Sequence, residues 1–205
     1  MWGRSRRELE GWGRRFSDLL TRYTFFHSPP CYSNGTRELL AVMGIVRHKL
    51  MIEESEKRFA SAKLLRSAGD SSDSAYLLQL LAFELLLKVV VEQSTQSIAH
   101  GHNYKDLFAS LSPQRQAEVL RIAGERIGPS LLTTNQNGVL SDLGSNFVKL
   151  RYPYDKYNDL THQEYVRVGA DWVAAGARLE DADYRYHPEE LFGLTYALRQ
   201  VVNGC

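Results

Sequence analysis

The sequence predicts an all-α fold, and three observations carry that prediction. Apolar residues recur at helical spacing along most of the chain, capping and proline signals cut them into successive segments, and no segment sustains the alternation of a strand. Val89-Val90-Val91 comes nearest to a strand signal, and it continues a helical run. The most apolar stretch, Ala75 to Val91, reads as a helix buried at the centre of the domain. Between Tyr76 and Val91 only Gln79, Glu84 and Lys88 interrupt it. A membrane span needs about 20 predominantly apolar residues, and two charges at its middle would be costly. A core helix surrounded by neighbours is the better reading, with no membrane involved.

Taken in order, residues 1–50 stand apart as a basic N-terminal extension, poorly ordered or loosely attached. They hold nine Lys/Arg against four Asp/Glu, while the whole chain has a formal charge of +1. Leu9, Trp12, Phe16, Leu19 and Tyr23 could form a short amphipathic helix there. His27 to Gly35, with Pro29, Pro30 and Asn34-Gly35, reads as irregular chain. Binding an acidic surface is one use for such an extension; a natural start at Met51 would make it a leader instead.

Residues 51–205 form the predicted helical domain. Ile52, Ser55, Phe59, Ala62 and Leu65 make one stripe, with Glu53, Glu54 and Glu56 near the start and basic residues following, as the helix dipole favours. Gly69 to Asp73 ends that helix and offers caps for the next, from about Ser74 to Gln93. Asn103 caps a short helix with Asp106 at its third position, and Ser112-Pro113 opens another that ends near Gly128-Pro129. Thr133 to Gly138 reads as polar loop. Leu140, Leu143, Phe147 and Leu150 then form a buried stripe, which Pro153 terminates. Thr161 and Glu164 make a capping box for a helix to about Leu179, and His187-Pro188 opens the last.

Hydrophobic residues at 43% and charged residues at 24% are ordinary for a folded domain. Net charge gives no argument for a polyanionic partner. The two cysteines, Cys31 and Cys205, cannot build a disulfide framework, and with no apolar signal run at the N-terminus the chain reads as cytoplasmic. Gly-rich phosphate loops, G-x-S-x-G and H-E-x-x-H are missing, so no cofactor is predicted. His100 and His102 are two apart and would share a metal only from a loop, so no metal site is predicted.

Two features carry chemistry. Glu84 and Lys88, four apart, share a helical face and can pair; such a pair serves either a site or a contact between helices, and the contact is preferred. Leu150 to Tyr157 holds Arg151, Lys156 and three tyrosines, which could bind a phosphate and stack a base. The plainer reading packs the tyrosines on the core and pairs Arg151 with a carboxylate.

In sequence order, Ala82-Phe-Glu84-Leu-Leu-Leu-Lys88, Gly101-His102-Asn-Tyr-Lys-Asp-Leu107 and Phe147-Val-Lys-Leu-Arg151-Tyr-Pro-Tyr154 resemble the HEPN superfamily (higher eukaryotes and prokaryotes nucleotide-binding) of bacterial type. The resemblance runs from about Met51 to Gly176. It implies an antiparallel helical bundle of HEPN type with additional C-terminal helices, often a homodimer. It further implies a module that binds RNA, a nucleotide or a protein partner in a defence, toxin-antitoxin or regulatory setting, with a nucleotidyltransferase-type protein as one such partner. Glu84, Lys88, His102, Arg151, Tyr152 and Tyr154 are the expected binding residues. Active members carry an arginine followed four to six residues later by a histidine near the start of a late helix. Here the histidine after Arg151 is His162, too far along. Arg22 to His27 fits the spacing but lies upstream of the matched region, and is read as coincidence. Enzymatic activity is therefore left open, with His102 and Arg151 as the catalytic candidates of a divergent, metal-independent ribonuclease. A structural dimerisation module is the third reading.

Overall fold

The computed structural model describes residues 35–178 and 181–204. The chain divides into two units, Met1–Met43 and Gly44–Cys205, and every side chain described belongs to the second. The predicted N-terminal helix and the Arg22–His27 spacing lie outside the described residues, as do His27 to Asn34 of the irregular stretch and Leu179.

Seven α-helices and no strand are found among the described residues: α1 (Gly35–Ser67), α2 (Ser74–Thr95), α3 (Tyr104–Ala109), α4 (Pro113–Ile127), α5 (Leu131–Lys149), α6 (His162–Ala174) and α7 (Pro188–Asn203). A short 3-10 helix, Pro153–Tyr157, joins α5 to α6. The chain is an all-α bundle with α2 at its middle. α7 packs on α4 and α2, while α3 and α5 pack on each other and on α2.

α2 is apolar on almost every side because it has neighbours on almost every side. Leu80, Phe83, Leu86, Leu87, Val89, Val90 and Val91 are all buried. By length and composition α2 could cross a membrane, yet 61% of its most apolar window is buried within this protein. α1 reaches α2 through small groups: Ser55, fully buried, donates its hydroxyl to the Ala82 carbonyl at 2.9 Å. Arg199 of α7 lies over the Phe59 ring of α1 at 4.2 Å, and also pairs with Glu56 at 2.6 Å.

The helix ends follow local rules with three departures. Ser112 accepts from the Arg115 amide with Pro113 in the first turn, Asn103 accepts from the Asp106 amide, and Thr161 and Glu164 form the full capping box. The first departure is α1, which begins at Gly35, upstream of Met51. Arg47 and His48, in the stretch read as an extension, converge on Glu92 of α2: Arg47 grips both carboxylate oxygens at 3.0 Å and His48 approaches at 3.1 Å. Second, Thr133 to Gly138 is helix rather than loop. Asn135 takes a non-helical conformation inside α5 and its side chain accepts from the Gly138 amide at 3.1 Å, so it caps a second half-helix where a loop was expected. Third, α6 stops at Ala174 because Gly176 turns the chain with φ +95°, short of the expected Leu179. Asp73 precedes α2 without capping it; its carboxylate accepts from the Tyr186 hydroxyl at 2.8 Å instead.

Two outcomes follow from this packing. Phe83→Ala removes a ring buried at 1% exposure and should cost about 3–5 kcal/mol, read as a lower midpoint in chemical denaturation. Burial would raise the Glu92 carboxyl, but Arg47, the Ala99 amide and His48 outweigh it and hold the group below its ordinary value. A depressed folded-state value gives stability that is present above the unfolded value and lost as pH falls through the folded one. Thermal melts should therefore weaken in the acid range below the ordinary 4.5, and Glu92→Gln should flatten that acid limb.

Candidate functional site

Glu84 lies on the inward side of α2 at 4% exposure, where a lone carboxylate would be costly. Both of its oxygens are used. Lys88, one turn along α2, donates to Oε1 at 2.8 Å, and the His102 Nδ1 lies 2.9 Å from Oε2. The lysine side chain is only 14% exposed, so the pair is interior, while His102 remains 41% open.

His102 arrives there because Gly101 turns the chain with φ +81°, which a side chain would oppose. Asn103 then caps α3, and Tyr104 of that helix is fully buried. α5 closes over this turn through Gly144. A Cβ there would stand 2.8 Å from the His102 carbonyl and 3.3 Å from the Tyr104 amide, so only glycine permits the approach. One turn further along α5, Phe147 contacts the His102 ring with centroids 5.0 Å apart. Arg151 sets its guanidinium over the same Phe147 ring at 4.5 Å and donates Nε to the Phe147 carbonyl at 3.1 Å.

The arrangement joins four of the six predicted residues: Glu84, Lys88 and His102 directly, and Arg151 through Phe147. No carboxylate pairs with Arg151 among the described residues, contrary to the plainer sequence reading. Its exposed guanidinium, beside a half-open imidazole, leaves one cation for an anion to meet. With Nδ1 turned to Glu84, Nε2 is the ring nitrogen left for a ligand. Burial and the nearby Glu84 charge push the Tyr104 phenol well above its usual value, with Arg151 pulling the other way, so Tyr104 stays protonated.

Tyr152 and Tyr154 stand apart from this group. Both are exposed and meet each other edge to face at 6.2 Å. Tyr154 opens instead onto a cleft of about 510 Å³ lined by Pro153, Tyr157, Asn158 and Tyr165. Packing of these tyrosines on the core, the plainer expectation, does not occur for these two.

No family model, curated protein or solved structure matches the chain.

Among the described residues, no three His, Cys, Asp or Glu side chains converge as metal ligands. A second buried polar group does form elsewhere. His187, at the start of α7, sets Nε2 3.0 Å from Asp142 of α5, with Arg185 3.5 Å from the same carboxylate, and Glu190 accepts from the Leu131 amide at 3.2 Å. This group ties the N-terminus and the second half of α5 to the first turn of α7. It left no mark in the sequence, because the Asp142–His187 pair is separated by 45 residues. Tyr104 and Gly144 also went unnoticed as parts of the site. Each sat inside or beside a recognised segment, but a close approach between helices has no local pattern.

Gly144→Ala forces a Cβ against backbone atoms that cannot swing aside, and overpacking of this kind costs about 1–3 kcal/mol. Urea titration should show that loss, while Gly124→Ala, at a helical position open to at least 4 Å, should be neutral or mildly stabilising.

Proposed function

We propose that the chain is a HEPN-like helical module that binds the phosphate of an RNA or nucleotide at Arg151 and His102 and leaves it intact. The observation that carries this reading is the exposed Arg151 guanidinium, without a carboxylate partner among the described residues, fixed beside a half-open His102 by the Phe147 ring between them. Glu84 and Lys88 are spent on each other and on His102, so they orient the site from behind.

The meeting of the three segments that carried the resemblance adds support. α2 brings Glu84 and Lys88, the turn before α3 brings His102, and the end of α5 brings Phe147 and Arg151. A cytoplasmic setting suits the proposal, with a nucleotidyltransferase-type protein in a defence, toxin-antitoxin or regulatory pair as the natural companion. Binding without cleavage fits the chemistry present. Metal-independent cleavage needs a base and an acid, and beyond His102 the group offers only Tyr104, which is fully buried, and Lys88, which is held by Glu84.

Arg151→Ala should weaken binding of a single-stranded RNA oligomer or a nucleoside phosphate, measured by fluorescence anisotropy, and reduce the salt slope by about one unit. The circular dichroism spectrum should be unchanged, since the residue is exposed. Unaltered affinity and salt slope would remove the proposal.

One observation favours a second reading, a divergent ribonuclease: the Glu84–His102 contact presents Nε2 as a base. RNA incubated with the protein and a chelator separates the two. Cleavage that vanishes in His102→Ala favours the enzyme, and intact RNA over a wide pH range discards it.

A further inference from the structure

The connection from α5 to α6 gathers tyrosines by local geometry alone. In a 3-10 helix, residues three apart eclipse, so Tyr154 and Tyr157 of the Pro153–Tyr157 helix share an edge. The Leu160 amide, bonded to the Tyr157 carbonyl at 3.1 Å, then turns the chain, and the Thr161–Glu164 capping box sets where α6 begins. Tyr165 enters one turn later, its amide bonded to the Thr161 carbonyl at 2.9 Å. Its ring meets that of Tyr157 with centroids 5.1 Å apart and planes at 76°. The three rings, with Pro153 and Asn158, line the cleft of about 510 Å³. Tyr154 is 62% exposed and Tyr165 53%, so packing on the core does not account for their meeting.

We infer that this cleft is a binding site for a small quaternary-ammonium compound, held by cation–π contact with the three tyrosines. The inference goes beyond the phosphate site and does not need it. Three observations select this ligand.

Shape is the first. Tyr157 and Tyr165 stand nearly at right angles, as do Tyr152 and Tyr154, so neither pair offers the parallel faces that would sandwich a flat base. Rings at right angles make a corner. A rounded trimethylammonium head can touch both walls of a corner at once, and the cleft has a volume usual for small-molecule sites.

Charge is the second. Between Pro153 and Tyr165 the carboxylates Asp155, Asp159 and Glu164 outnumber the one lysine, Lys156. The Thr161 amide and hydroxyl hold the Glu164 carboxyl below its ordinary value, so it is charged at neutral pH. Asp155 and Asp159 have no cationic partner among the described residues, whereas Lys156 is paired with Asp183. Burial, and then the nearby Lys149, lowers the Lys156 ammonium. With Lys149 and Asp183 counted, four acids still stand against two lysines, and Arg151 is engaged at Phe147. Such a field favours a cation and opposes a phosphate.

The third observation is a cation already at this surface. Lys156 Nζ lies 6.0 Å from the Tyr157 centroid, the outer limit of cation–π attraction. Lys156 is not part of the cleft lining, so the cleft stays open to a second cation. No carboxylate lines it either. A primary ammonium would give up water there without a charged acceptor, while a methylated one carries its charge on groups that need none.

Choline titrated into the full-length chain, followed by amide chemical shifts of the isotope-labelled protein, should move the signals of residues 153–165 saturably. Its neutral isostere, with carbon in place of the ammonium nitrogen, should bind about two- to fivefold more weakly, as expected for a cation–π contact at an exposed site. Tyr165→Leu keeps an apolar side chain without the ring and should weaken choline by about the same factor, while Tyr165→Phe should retain it. Circular dichroism checks that both variants fold, and the comparison of choline with its isostere on the unaltered chain needs neither. No saturable shift, equal affinity for the isostere, or full affinity in a folded Tyr165→Leu would each overturn the inference. So would adenosine moving the same signals at lower concentration than choline, which would make the cleft a stacking surface.

Discussion

One buried carboxylate governs this domain. Glu84 sits on the most apolar helix of the chain, and its burial is tolerable only because each oxygen has a cationic or hydrogen-bonding partner. Removing one partner of a buried charge costs far more than the pair gains over a well-packed apolar substitute. Lys88 satisfies one oxygen from the same helix and could do so in any packing. The other oxygen is different. It is satisfied by His102, which comes from the turn before α3, so the carboxylate fixes where that turn docks.

The rest of the site follows from that docking. Gly144 brings α5 onto the docked turn, and Phe147 then meets both His102 and Tyr104. Arg151 takes its place from Phe147, by ring contact and by hydrogen bond. A cation at the surface is thus held in position by a chain of contacts ending on a buried acid. α6 shows the opposite economy: it has local capping and an apolar face, and nothing among the described residues buries that face.

Much of the helical architecture was legible because its signals are local. The caps at Asn103, Ser112 and Thr161 and the stripe from Leu140 to Leu150 depend on neighbours a few residues away, and all appear in the structure. Thr133 to Gly138 misled because its composition is that of a loop, while Asn135 uses the same polarity to restart a helix. The site was half legible. The i,i+4 relation of Glu84 and Lys88 can be read directly, and the pair forms. That His102 would take the second oxygen, or that Arg151 would rest on Phe147 instead of a carboxylate, depends on which helices meet, and that is written in no single segment. Tyr152 and Tyr154 were singled out by composition, and composition could not place them apart from Arg151's ring contact.

The most direct test of the central role of Glu84 is a double-mutant cycle on stability with Glu84→Gln and His102→Ala, each alone and together, by chemical denaturation. If the carboxylate holds the α3 turn through His102, the two substitutions couple by about 0.5–2 kcal/mol in the favourable sense, somewhat damped by the open side of the imidazole. Strict additivity, with Glu84→Gln costing the same whether or not His102 is present, would contradict the account.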